Sequence, residues 1–230
     1  MANFFSSSIG KKLIMSLSGL FLILFLLFHM SMNVVALISE HGYDMVCEFL
    51  GANWYALVGT MIIAAGAIFH MGYAFVLFAS NKKARGNDVY AVTARPKQVE
   101  WASQNMLVLG VAIATFLILH LYNFWAKMQF VELQHMMGFH VSEEAMCRAT
   151  SGVFWIKHIF AQPIYVVLYL VALVALWFHL THGFWSALHT IGWNNLKWIN
   201  RLQKISNVVA TIVCLGFAAV VVVYYIVSIL

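Results

Sequence analysis

Residues 13–38 read LIMSLSGLFLILFLLFHMSMNVVALI. These 26 residues contain no Asp, Glu, Lys or Arg. About 20 apolar residues in a helix cross the ~30 Å of hydrocarbon in a bilayer. The stretch therefore predicts a membrane span. Lys11 and Lys12 precede it, as in a secretory signal, but the apolar run continues to Ile38 with no convincing small-residue cleavage site. It reads as an uncleaved first span, with one imidazole, His29, inside it.

Four further segments lack the same four residue types: 54–79, 101–126, 158–196 and 205–230. In the fourth, Pro163 to about Leu188 is the expected span. Strands are the poorer reading, because a barrel needs short alternating repeats. In lipid only helices or closed barrels satisfy the backbone. The fold class is thus an all-α integral membrane protein. It is one domain over 1–230, with five transmembrane helices at about 13–38, 54–79, 101–126, 163–188 and 205–230. The composition agrees. It is 63% hydrophobic and 9% charged, against about a quarter charged in soluble domains. Its mean hydropathy is +0.86. A soluble globule and a disordered chain are excluded.

Orientation follows from Lys and Arg. Of 13 such residues, only Lys127, Arg148 and Lys157 fall on one side of the five spans. The remainder flank the start, the 80–100 connection and the 189–204 connection. The positive-inside rule puts that second side, with the N-terminus, in the cytoplasm and the C-terminus outside. Seven of eight Trp lie near span ends, where amphipathic rings favour the interface; Trp177 is the exception. The 127–157 loop is the longest exterior connection, and its Met-rich part, 128–146, is suited to the membrane surface. Residues 193–204 predict a short interfacial helix with a basic face. Cys47, Cys147 and Cys214 form no CxxC or CxxCH, which argues against zinc-ribbon, thioredoxin-like and c-type haem chemistry. Cys47 and Cys147 fall on the same side and read as two unrelated thiols rather than a disulfide.

Ten His in so apolar a chain are the second anomaly. His41, His135, His140 and His158 belong to exterior connections, and His189 to the inner end of span four. His29, His70, His120, His179 and His182 lie at hydrocarbon depth. His29 follows Lys12 by 17 residues, about 25 Å along a helix, and falls in the outer half. His70 precedes Lys82 by 12 residues and falls in the inner half. Span three runs outward with His120 near its end. Span four runs inward with His179 in its later part. His29 and His120 thus share an outer layer, and His70 and His179 an inner one. Spacing alone leaves His182 as a rival to His179.

Two His–His pairs at two depths suit two stacked b-type haems, held by spans one to four. Iron between two neutral imidazoles is six-coordinate, which favours electron transfer over oxygen chemistry. Small residues share the ligand faces, among them Gly66 and Gly59 before His70, and Ser18 before His29 with Gly19 beside it. Helix packing alone also enriches such residues.

The start Ser6–Lys12 running into Ser18-Gly19 and His29, the His120-Leu121-Tyr122 end of span three, and His179-Leu-Thr-His182-Gly183-Phe184-Trp185 carry a resemblance over essentially the whole chain. The sequence resembles the five-helix, diheme cytochrome b membrane anchors of succinate:quinone oxidoreductases (succinate dehydrogenase and fumarate reductase, complex II). The resemblance implies His29 and His120 as ligands of an outer haem b, and His70 and His179 as ligands of an inner haem b. It selects His179 over His182, because the family's ligand stands four residues before a Gly followed by a hydrophobic and an aromatic residue.

It also implies a flavoprotein subunit carrying FAD and an iron–sulfur subunit on the cytoplasmic face. The dicarboxylate site would lie on the flavoprotein rather than this chain, and the membrane would be the bacterial cytoplasmic membrane. Menaquinone is the implied exchangeable substrate. Glu48 is a candidate proton acceptor at the quinone site, alongside its reading as a solvated loop residue. Some relatives carry a Glu two residues before the helix-four ligand; here that position is Trp177. Arg95, Lys97 and Lys197 inside, and Lys127 and Lys157 outside, are candidate propionate partners. Two other classes stay in view. One is a diheme anchor of a different quinol-linked enzyme. The other is a haem-free transporter whose buried His residues relay protons.

Overall fold

The computed structural model describes residues 7–85, 101–193 and 195–230. The charged residues Asp88, Arg95, Lys97 and Glu100 lie outside them. The chain is all-α, with no strand among the described residues. Helix α1 (Ser8–Ile38) starts at Ser7, whose hydroxyl accepts from the Gly10 N–H at 3.0 Å. Ser39 ends it and caps the short α2 (Glu40–Phe49), accepting from the Gly42 N–H. Helix α3 spans Trp54–Arg85. One turn, α4 (Trp101–Gln104), precedes α5 (Met106–Asn123). The break between them is Asn105, whose amide donates to the Trp101 carbonyl at 2.8 Å and competes with the backbone ladder. A 3-10 turn (Trp125–Lys127), α6 (Gln129–Met136), α7 (Glu143–Thr150) and α8 (Gly152–Phe160) follow. Helix α9 (Pro163–Thr190) opens on proline, where the missing N–H costs nothing. Helix α10 runs Leu196–Ile229.

Helices α1, α3, α5, α9 and α10 are long and apolar enough to cross a membrane. The last corrects one expectation. Residues 193–204 do not form a separate interfacial helix. Asn195 caps α10 by accepting from the Trp198 N–H at 2.9 Å. No Pro or Gly interrupts the chain from there to Leu215, so the basic segment is the first part of the fifth long helix. The first and second spans are likewise longer than their apolar runs, beginning at Ser8 and ending at Arg85.

The four short helices α2, α6, α7 and α8 gather at one end of the bundle and cap it. Helices α1, α3, α5 and α9 have their other termini at the opposite, open end. The cap is anchored by α8, which buries Ile156 and Ile159 to 1% exposure in a core shared with Ala36, Tyr43, Tyr169, Val220 and Tyr224. A second core joins Ile23 of α1, Leu180 of α9 and Ala210 and Val213 of α10. Ser206, fully buried on α10, donates to the Leu180 or Thr181 carbonyl of α9, 3.1 and 2.8 Å away. Trp177 donates to Thr211 Oγ1 at 2.9 Å. Helices α1, α9 and α10 thus form a tight three-helix unit.

Helix α3 is held differently. It meets α1 and, over a short stretch, α5. The most apolar 18 residues of its span bury none of their number, whereas α9 and α10 bury 28% of theirs. Its closest approach to α1 is at Gly66, where a Cβ would stand 2.5 Å from the Phe21 ring. Trp54, Trp101, Trp193 and Trp198 are exposed at or near helix ends, as interfacial anchors should be.

Candidate functional site

The bundle brings four imidazoles together as two couples. His29 of α1 and His120 of α5 face each other with ring centroids 5.8 Å apart and planes at 84°. His70 of α3 and His179 of α9 lie 6.5 Å apart at 72°. The first couple lies toward the capped end and the second toward the open end. All four rings are half-buried. The depth argument paired these residues, and the coordinates pair them the same way. His182 is set edge-on to Trp185, centroids 5.2 Å apart, on the next turn of α9.

The spacing can be tested against a shared metal. Imidazole nitrogens bind first-row metals at about 2.0 Å, with the ring centroid about 1.1 Å behind, so two imidazoles on opposite sides of one metal would have centroids roughly 6.2 Å apart. The observed 5.8 and 6.5 Å bracket that value. Near-perpendicular ring planes are compatible with a common axis. The Nδ1 atom of His179 is buried without a hydrogen-bond partner, a costly state for a polar atom. His70 stands on α3, the one span whose packing is open. In residue type, number and spacing, each couple fits what an iron held between two imidazoles needs. Among the described residues no cluster of three or more His, Cys, Asp and Glu side chains could hold a bare metal ion.

Each couple has its own surroundings. The His70 Nδ1 lies 2.9 Å from Ser18 Oγ, and Ser18 in turn donates to the Met15 carbonyl at 2.9 Å. A Cβ on Gly19 would stand 3.4 Å from the His70 ring, and one on Gly110 of α5 would stand 3.8 Å from His179. His29 is stacked on Phe25, centroids 5.3 Å apart, and tilted against Phe217. The Asn33 amide donates to the His29 carbonyl at 2.8 Å and passes 3.4 Å from its Nδ1, while the Tyr43 hydroxyl donates to Asn33 Oδ1 at 3.2 Å. His120 sits among Phe116, Phe124 and Tyr169. Asn123, fully buried, donates to the Tyr169 hydroxyl at 3.3 Å and leaves its own Oδ1 unpaired.

At the capped end a cavity of about 540 Å³ opens between α2, α6 and α7. Glu48, Phe49, Tyr55, Glu132 and His135 line it. Glu48 is therefore beside a cavity rather than on a featureless loop. Glu132, which sequence reasoning passed over, is the better fixed of the two carboxylates. It accepts from the Ala52 N–H at 3.0 Å. A Cβ on Gly51 would stand 2.5 Å from Glu132 Oε2, so a side chain there would displace that carboxylate. Burial, with Glu48's charge adding, pushes the Glu132 carboxyl above its ordinary value; the Ala52 N–H pulls it back in part.

Of the other residues weighed from sequence, Lys127 lies over the rings of Tyr122 and Trp155 at 5.2 and 4.9 Å. Lys157 pairs with Glu40 at 2.8 Å, and Lys197 stands exposed in the first turn of α10. None is brought to a histidine couple. Trp177 is tied to α10 through Thr211, so that position is structural here. All three Cys are free thiols.

Fold and site together define a multi-pass, all-α membrane protein with paired imidazoles at two depths. No family model matches the chain, and neither a curated protein nor a solved structure does.

Proposed function

We propose that this chain is a diheme cytochrome b membrane anchor of the succinate:quinone oxidoreductase type. It would carry electrons between an iron–sulfur subunit and a membrane quinone. The observation that supports the reading is the two histidine couples, each at the separation a bis-imidazole iron requires, stacked along one bundle. Haem, when bound, supplies reversible one-electron transfer. The chain supplies the rest. His29 and His120 would hold one group, and His70 and His179 the other. Phe25, Phe116, Phe124 and Phe217 keep the capped-end couple dry.

The substrate side rests on the cavity beneath the cap. Its apolar walls suit a quinone ring, menaquinone in the resembled subtype, and Glu48 stands where a proton leaving quinol could be accepted. A flavoprotein subunit with FAD and an iron–sulfur subunit would dock at the open end, where Lys11, Lys12, Lys82, Lys83, Lys197, Arg201 and Lys204 concentrate positive charge. The membrane would be the bacterial cytoplasmic one, with the open end facing the cytoplasm.

A reduced-minus-oxidised spectrum of the detergent-extracted protein tests the reading. Two protohaems per chain are expected. His70→Ala or His179→Ala should remove one haem and spare more of the other, while His182→Ala keeps both. Correctly folded protein without haem would leave the proton-coupled transporter. Two haems without co-purifying flavin and iron–sulfur subunits would assign it to another quinol-linked enzyme.

A further inference from the structure

The two couples differ in what stands behind their rings, and the difference lies in α1. Ser18 is 11 residues before His29. Eleven residues are close to three full turns, so Ser18 repeats the His29 face about 16 Å lower. There it meets the ring of a different helix, His70 of α3. Its hydroxyl proton is already committed, since Ser18 Oγ donates to the Met15 carbonyl at 2.9 Å. The contact with His70 Nδ1, also 2.9 Å, suits either tautomer of the ring; with the Ser18 proton on the carbonyl, Nδ1–H donates to the hydroxyl oxygen. A neutral imidazole protonated at Nδ1 has its lone pair on Nε2. That is the tautomer an Nε2-ligated metal needs. Gly19 lies beside the seat: a Cβ there would stand 3.4 Å from the His70 ring, in ordinary contact.

His29 has no such acceptor. The group nearest its Nδ1 is the Asn33 amide nitrogen, 3.4 Å away and already donating to a carbonyl. His179 Nδ1 has no hydrogen-bond partner. Among the four rings only His70 has a hydroxyl oxygen placed to draw on its Nδ1 proton.

We propose that Ser18 is a positioning residue for His70: it fixes the ring's tautomer and orientation, and thereby tunes the electron affinity of the iron shared with His179. The proposal rests on the two-haem reading. An acceptor on Nδ1–H makes Nε2 a stronger donor, and a stronger donor favours the oxidised iron. Removing the acceptor makes that centre easier to reduce. A net neutral hydrogen bond corresponds to about a three- to tenfold change in the reduction equilibrium.

The experiment is a spectroelectrochemical titration of the extracted holoprotein, with low-spin EPR of both centres. Ser18→Ala should retain two haems per chain. One midpoint should rise by the equivalent of that three- to tenfold change, with an altered EPR signal, while the other centre is unmoved. Ser18→Thr keeps the hydroxyl and should restore the original midpoint. If Ser18→Ala loses one haem and Ser18→Thr regains it, the proposal also stands, since the hydroxyl is then required to seat the ring. Two unshifted midpoints in Ser18→Ala overturn it, as does a Ser18→Thr protein indistinguishable from the Ala variant. A wild-type protein without haem overturns the two-haem reading as well, and haem content reports that separately from the midpoints.

Discussion

Glu132 shows how one side chain can serve as a strut and a proton site together. Its carboxylate holds the turn between α2 and α3 through the Ala52 N–H. Gln129, one turn earlier on α6, donates to the Gly51 carbonyl at 3.1 Å. Glu48 acts on Glu132 electrostatically, and His135, one turn later on α6, lines the same cavity. Burial raises its carboxyl above the ordinary 4.5. The folded state therefore binds the proton more tightly than the unfolded chain. Stability from this group is fully present below pH 4.5 and is lost as pH rises through the folded value. Glu132→Gln keeps an acceptor for Ala52 and removes the charge. Thermal unfolding in detergent across pH should show the variant gaining on wild type from about pH 4.5 upward, with no difference at lower pH. A constant offset at all pH values would mean that titration of Glu132 does not govern the effect.

Residue by residue, the sequence disclosed the paired imidazoles better than their surroundings. Five imidazoles at hydrocarbon depth, His182 among them, stand out because nothing nearby is ionised. Glu132, Asn33 and Tyr43 do not stand out, because their partners are 80, 4 and 10 positions away. Only tertiary packing tells such residues from ordinary loop or helix polars. Ser18 was visible as a small residue on the His29 face. Its bond to His70, 52 positions on, was not.

At the scale of elements, the spans were legible from charge-free length and the cap was not. Helices α6, α7 and α8 are eight or nine residues each, too short for periodicity to separate helix from loop. What fixes α7 and α8 is side-chain chemistry at their starts. Ser142 accepts from the Ala145 N–H, and Ser151 from the Phe154 N–H, both at 3.2 Å. Asp44 of α2 accepts from the Val153 N–H at 2.9 Å and from the Ser151 hydroxyl at 3.2 Å, tying two helices 109 residues apart. Gly152, at the start of α8, allows that junction to close. A Cβ there would stand 2.3 Å from Cys47 Sγ and 2.6 Å from the Tyr43 ring. Tyr43 is buried and bonded to Asn33, so the ring has nowhere to move.

Gly152→Ala should therefore cost about 1–3 kcal/mol through overpacking. Cys47→Ala in the same chain should recover only part of it, because the Tyr43 clash persists. Denaturation midpoints of the single and double variants measure this. Full recovery in the double variant would show that the thiol, not the ring, sets the limit.

For the whole molecule, the open question is which end of the bundle faces out, and the cysteines can answer it. The last span's early start at Leu196 does not alter the topology. Five crossings still put the cap and the C-terminus on one side, opposite the N-terminus. The orientation proposed from charge bias makes the cap the exterior. Cys147 on α7 is exposed at that end, Cys47 on α2 is partly covered by Tyr43 and Gly152, and Cys214 is buried within α10. Burial pushes the Cys47 thiol up to about 11, leaving roughly one thiolate in 10,000 at neutral pH. Because the thiolate is the nucleophile, burial and its raised thiol both disfavour Cys47, while exposure selects Cys147. A membrane-impermeant maleimide added to intact cells should label Cys147, should leave Cys214 unmodified, and should reach Cys47 at least 100-fold more slowly. Cys147→Ser should abolish the fast labelling. Labelling only after the membrane is opened would invert the orientation. The iron–sulfur partner would then have to meet the cap instead of the basic end, and the route from dehydrogenase to quinone would need to run in the opposite direction through the two histidine couples.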